Sequence, residues 1–159
     1  MIKNLDIKFY FLFIFFFSLS ILIGALIIEY IYGADPCKLC IYERIPYLLS
    51  IFVCFCGYYF KNKKIFIFFL IIIFIGSAIL SGYHFGIEKD IFAEFSGCIS
   101  EEIKSLDKDK ILNSLQQTNY GCKNVNFRIL GFSLATINFI ISFVITLLSI
   151  YIFKNEKNR

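Results

Sequence analysis

The chain has 159 residues, with 16 lysines and arginines against 12 aspartates and glutamates, a net charge of +4. Hydrophobic residues make up 58% and charged residues 18%, against about 45–50% and about 25% in a soluble globular domain. That imbalance excludes an ordinary soluble enzyme, a disordered chain and a basic nucleic-acid binder, and the length suits a single domain over residues 1–159.

A helix that crosses the hydrocarbon core of a bilayer needs about 20 mostly apolar residues. Four stretches qualify, so the fold class expected is an all-α membrane protein, a four-helix transmembrane bundle. No barrel-like alternation is visible, and only helices or closed barrels satisfy their backbone groups in lipid. The first span covers residues 9–32 and is free of charge until Glu29. Lys3 and Lys8 precede it, as in a signal peptide. Its apolar run exceeds the usual 7–15 residues, however, and no small-x-small cleavage site follows, so retention as a span is expected. Ser20 and Gly24 form a small-xxx-small pair of the kind that lets helices approach closely.

A first loop, residues 33–44, carries Cys37-Lys38-Leu39-Cys40. A Cys-x-x-Cys pair can close a small ring whose disulfide exchanges readily. It lies just before span two, residues 45–60, so a helix N-terminus is expected near Cys40, with Arg44 one turn on. Both lower a thiol pKa from about 8.5, and comparable sites reach about 3.5–7.5. Cys40 is therefore the expected acidic thiol. Zinc would ordinarily need a second close pair or histidines, and His84 is the only histidine; no metal is expected. Haem attachment needs His after the second cysteine, and position 41 is Ile. A purely structural disulfide stays open. Cys54 and Cys56, inside span two, read as small hydrophobes.

The link Lys61-Asn62-Lys63-Lys64 is densely positive and leads to span three, residues 65–85, with Ala78 and Gly82 as a second small-residue pair. A long second loop, residues 86–128, holds Cys98 and Cys122 and mixes its lysines with seven acidic side chains between Glu88 and Asp109. One or two short surface helices are expected between those cysteines. A Cys98–Cys122 disulfide would close a loop of about 25 residues, worth about 3 kcal/mol by chain entropy. Span four, residues 129–153, places Ser142, Thr146 and Ser149 on one face; Asn138 within it suits an interhelical hydrogen bond. The tail carries Lys154, Lys157 and Arg159.

The short positive segments are the N-terminal flank, the 61–64 link and the tail. They belong in the cytoplasm, together with both termini. Loops 33–44 and 86–128 then face outward and carry Cys37, Cys40, Cys98 and Cys122. Outside the plasma membrane disulfides persist.

Asp35-Pro36-Cys37-Lys38-Leu39-Cys40-Ile41-Tyr42-Glu43-Arg44 resembles the Pro-Cys-x-Leu-Cys-x-x-x-Arg signature of the DsbB family of membrane disulfide-bond formation proteins. Tyr83-His84-Phe85-Gly86-Ile87-Glu88 resembles a Tyr-His-x-Gly-x-Glu stretch of that family. Leu130-Gly131-Phe132-Ser133-Leu134-Ala135 is similar to its entry to span four, and Cys98 and Cys122 match its second-loop cysteines.

The resemblance implies a quinone-dependent protein dithiol oxidoreductase of the bacterial inner membrane. Cys98 and Cys122 would reoxidise a soluble periplasmic thioredoxin-fold partner of the DsbA type, with Cys98 forming the mixed disulfide. Cys37 and Cys40 would pass the electrons to ubiquinone or menaquinone. Cys40 would lie beside the quinone ring, Arg44 would hold a quinone carbonyl, and His84 would line the same pocket. Glu43 belongs to the matched stretch and is given no role. Lipid is the other expected contact; nucleic acid is not. Two rival readings remain. One is a non-enzymatic scaffold with structural disulfides. The other is a quinone reductase of the vitamin-K-epoxide type, whose Cys-x-x-Cys lies in the last span rather than before the second.

Overall fold

The computed structural model describes residues 7–93, 122, 128–129 and 131–157. Within them α1 spans Ile7–Tyr30, α2 Lys38–Tyr42, α3 Ile45–Tyr59, α4 Lys63–Glu88 and α5 Leu134–Lys157. A two-residue antiparallel pair, β1 (Arg128–Ile129) with β2 (Phe132–Ser133), precedes α5. Among the described residues, four helical stretches are long and apolar enough to cross a membrane: Ile7–Tyr30, Lys38–Tyr59, Lys63–Glu88 and Leu134–Asn155. The chain is an all-helical, multi-pass membrane protein.

The helix ends follow local chemistry. Beyond α1, the Ile31 amide reaches back to the Ile27 carbonyl and Gly33 takes φ +64°, a left-handed conformation that glycine adopts without strain. Pro46 opens α3, at a position where its missing amide hydrogen costs nothing. Span three runs on to Glu88, past the expected residue 85, and closes with Asp90 at φ 60° and the Ile91 amide bonded to the Gly86 carbonyl. Span four starts later than expected, at Leu134. The chain first turns through Gly131 (φ +86°) into the β pair, and Ser133 Oγ then accepts the Thr136 amide at 3.2 Å as an N-cap. The expected surface helices between Cys98 and Cys122 lie outside the described residues.

Helix α1 packs on α3, α3 on α4, and α4 most extensively on α5. Their shared core is apolar, with Phe11, Ile14, Ile67, Leu70 and Phe74 fully buried. The outer faces are apolar too, as lipid requires: Phe9, Phe16, Phe52 and Phe68 are exposed. Small hydroxyl side chains bridge the helices. Ser18 bonds Ser50 at 2.8 Å (α1 to α3), Ser77 bonds Ser142 at 2.8 Å (α4 to α5), and Tyr10 bonds Ser149 at 2.7 Å (α1 to α5). The shared face of Ser142, Thr146 and Ser149 is buried as expected.

The two small-residue pairs behave differently. Gly82 meets α5, where a Cβ would stand 3.2 Å from the Phe139 ring. Ser20 and Gly24 border a cavity, and a Cβ at Gly24 would meet nothing within 4 Å among the described residues. A close approach absent from the sequence reading occurs at Gly57, where a Cβ would lie 2.6 Å from the buried Phe11 ring and 3.0 Å from Phe66 Cβ. Gly57→Ala is therefore expected to destabilise the α1–α3 contact by about 1–3 kcal/mol through overpacking. Unfolding in detergent checks this; an unchanged midpoint would contradict the packing.

Candidate functional site

Cys37 is the N-cap of α2, and its Sγ accepts the Cys40 amide at 3.2 Å. One turn of helix then brings Cys40 Sγ to 2.7 Å from Cys37 Sγ. Cys37 is buried and Cys40 half-buried. The two thiols are not equivalent. The Cys37 thiol is lowered to about 5, chiefly by the hydrogen bond from Cys40 and further by His84 and the Cys40 amide, against the effect of burial.

This differs from the expectation that Cys40 would be the acidic thiol through the helix start and Arg44. The helix begins two residues earlier, so its free amide faces Cys37. Arg44 sits at the junction of α2 and α3, and its Nη1 bonds Glu29 Oε2 of α1 at 2.6 Å. The side chain in contact with a thiol is His84 of α4, whose Nε2 lies 3.6 Å from Cys37 Sγ.

His84 is buried and held from its other side. Its Nδ1 lies 2.7 Å from Glu43 Oε1. With that N–H donated to the carboxylate, Nε2 is the nitrogen that faces Cys37, accepting from its thiol and, once protonated, donating to its thiolate. Glu43 is fixed in turn: Asn138 Nδ2 donates to its Oε2 at 2.8 Å. Asn138 Oδ1 accepts a short hydrogen bond from Tyr47, and Ser142 approaches it at 3.5 Å. Asn138 thus makes the expected interhelical bond and also reaches the site. The chain Cys37–His84–Glu43–Asn138–Tyr47 joins α2, α3, α4 and α5. No buried side-chain nitrogen or oxygen among the described residues lacks a hydrogen-bond partner.

Glu43, Glu29 and Tyr47 were not singled out from sequence. A signal for Glu43 existed: an ionisable residue at the mouth of a membrane span is a functional candidate by default. Its partner His84 is 41 positions away, and nothing in the local pattern joins the two.

Cys122 is buried in the same apolar cluster as Cys37 and Leu39, with Cys40 packed against it, and is disulfide-bonded. Cys37, Cys40, Cys54 and Cys56 carry free thiols. Cys54 lies in the central core and Cys56 is half-buried. Cys98 lies outside the described residues.

Beside the pair is a cavity of about 300 Å³. Its apolar wall comes from α1 (Ile21, Ala25, Ile28) and α5 (Ala135, Ile141), and its polar rim holds Cys37, Cys40, Arg44 and His84. Cavities that take small molecules and cofactors have this size and mixture. The residues fit a flat redox ring with carbonyl oxygens: an apolar slot open to the spans, one permanent cation and a dithiol. The structure thus brings Cys37, Cys40, Arg44, His84 and Cys122 to one place.

Comparison with known proteins agrees with this arrangement. The family described as "Disulfide bond formation protein DsbB" matches residues 7–152, nearly the whole chain. The chain is also similar to an uncharacterized protein of Rickettsia prowazekii (strain Madrid E), RP370, with 29% identity over 149 residues, covering 89% of this chain and 86% of the relative. With its Cys-x-x-Cys at the mouth of a four-span bundle and a family match from α1 to α5, the chain belongs to the DsbB family of disulfide bond formation proteins, membrane oxidoreductases that form disulfides.

Proposed function

We propose that this protein reoxidises a soluble, periplasmic thioredoxin-fold dithiol oxidase of the DsbA type and passes the electrons to a membrane quinone. The observation that carries the reading is the Cys37–Cys40 pair opening onto an apolar cavity that also holds Arg44. A bound quinone supplies the two-electron sink, with ubiquinone and menaquinone both suited to the chemistry. The positively charged flanks support loops 33–44 and 86–128 facing the periplasm, with both termini in the cytoplasm of a bacterial inner membrane.

The division of labour is the one the family resemblance implies, and the packing of Cys122 against the cluster of Cys37 and Cys40 supports it. Cys98 takes the partner's thiolate, and the Cys98–Cys122 disulfide becomes a dithiol as the partner is oxidised. Cys122, packed with Cys37, then attacks the Cys37–Cys40 disulfide at Cys37. The Cys37–Cys40 bond breaks, a Cys37–Cys122 bond forms, and the electron pair leaves on Cys40 at the cavity. Cys98 attacks Cys122, which restores the outer disulfide and frees Cys37 as a thiol. The Cys37–Cys40 dithiol finally gives up two electrons and two protons as its own disulfide re-forms. His84 Nε2 is placed to take the Cys37 proton, with Glu43 holding the ring. Arg44 donates to a carbonyl oxygen; its charge is permanent and its planar fork suits that contact.

The direct experiment mixes purified protein with quinone and a reduced thioredoxin-fold partner, and follows quinone absorbance with Cys37, Cys40, Cys98 and Cys122 replaced in turn. Cys98→Ser is expected to abolish turnover with the protein partner, while dithiothreitol still drives quinone reduction through Cys37 and Cys40. Full turnover of Cys98→Ser with the partner would refute the division. Unchanged quinone reduction in all four variants would restore the scaffold reading.

A further inference from the structure

The geometry points to a second use of the same side chains: we propose that the reduced Cys37–Cys40 pair and His84 form a site for a thiophilic divalent cation of the zinc and cadmium class, which locks the pair in its reduced state. Four spatial facts carry this. First, the ligating atoms of Cys37, Cys40 and His84 all lie within 4.8 Å of one another. Second, Cys37 Sγ and His84 Nε2 are 3.6 Å apart. Zinc bonds of about 2.3 Å to sulfur and about 2.0–2.1 Å to nitrogen, set at a tetrahedral angle, demand a sulfur–nitrogen edge of about 3.6 Å. Third, Glu88 Oε1 stands 4.0 Å from the same Nε2, within a small side-chain adjustment of a fourth ligand position. Fourth, His84 Nδ1 is already bonded to Glu43. Histidines that ligate metals almost always direct their second nitrogen to a carboxylate or carbonyl in this way, fixing the ring and strengthening the ligand.

Sequence spacing hid this set, because its histidine comes from another helix. The sulfur–sulfur edge must change: the present 2.7 Å opens by about 1 Å to bridge a zinc ion. Each thiol enters as thiolate and releases its proton to solvent. The cation binds only the dithiol, since a disulfide offers no thiolate. Bound cation and re-formation of the Cys37–Cys40 disulfide are therefore mutually exclusive, and the cation acts as a brake that does not require the cavity's redox occupant.

Cadmium titration of the full chain carrying Cys98→Ser and Cys122→Ser tests this without quinone or protein partner, reading the ultraviolet thiolate-to-cadmium band. The expected result is one cadmium per reduced chain, displaced by zinc, and no band once the Cys37–Cys40 disulfide is formed. His84→Ala is expected to weaken binding by at least about 10-fold, and Glu43→Gln by about 10–100-fold. A band of equal size in the oxidised chain would overturn the proposal, because oxidation spares Cys54 and Cys56. So would an affinity that His84→Ala leaves unchanged. Failure here leaves quinone reduction untouched, and loss of quinone reduction leaves the band untouched.

Discussion

His84→Ala is expected to slow quinone-linked turnover by about 10²–10⁴-fold, the usual contribution of a positioned acid–base group. Nε2 of this residue lies 3.6 Å from Cys37 Sγ, within reach of its proton. The substitution removes the acceptor and leaves Glu43 without its 2.7 Å partner. Exchange between the partner and the outer cysteine pair should be spared, because that step does not use the imidazole. Imidazole added to the buffer should recover part of the lost rate, since the site opens onto the cavity. Glu43→Gln should cost less, because its amide oxygen can still accept the Nδ1 proton. Steady-state rates with quinone and partner varied separately decide the matter. A His84→Ala rate within threefold of the parent would remove the imidazole from the reaction.

The second large effect is expected at Arg44. Arg44→Ala should raise the quinone KM and lower kcat/KM by roughly 10–150-fold, equivalent to losing one charged hydrogen bond of about 1.5–3 kcal/mol. Arg44→Lys should recover only part of this, because lysine keeps the charge and loses the planar fork. Glu29→Gln separates binding from positioning. The 2.6 Å ion pair steadies the guanidinium at the cavity rim, so its removal should raise KM by less than Arg44→Ala does. The partner's KM should stay the same throughout. A quinone titration that leaves KM and rate unchanged in Arg44→Ala would place the electron acceptor elsewhere.

The bundle itself was legible in the sequence because hydrophobic length is a local property. Four apolar runs, with Glu29 near the end of the first as their one carboxylate, dictate four helices, and each expected span overlaps the helix found. The ends were less legible. Phe85–Glu88 continues as helix because the left-handed Asp90 and the Gly86 carbonyl close it further on, and the 128–133 turn depends on Gly131. The spacing of the cysteine motif pointed to exchange chemistry but left a structural disulfide open, and the family resemblance supplied the redox reading. The polarity of the pair was not legible. It depends on which sulfur caps a five-residue helix, and on a histidine that arrives from α4. Arg44 lines the cavity, and its contact with Glu29, which joins residues 15 apart on two elements, was not legible. That Asn138 bonds Glu43 became readable only when 95 positions of chain were folded to 2.8 Å.

The fully buried layer of Phe11, Ile14, Ile67, Leu70 and Phe74 lies between the thiol end of the bundle and the opposite end. Tyr10 and Ser149 are polar neighbours of that layer, and they satisfy each other. The next buried hydroxyls along the helices, Ser18 with Ser50 and Ser77 with Ser142, are paired in the same way. An apolar layer of this kind opposes the passage of charge, so on the proposed mechanism protons given up when sulfurs join would leave by the face they came from. Thiol oxidation by that mechanism would then run without short-circuiting an ion gradient across the surrounding bilayer.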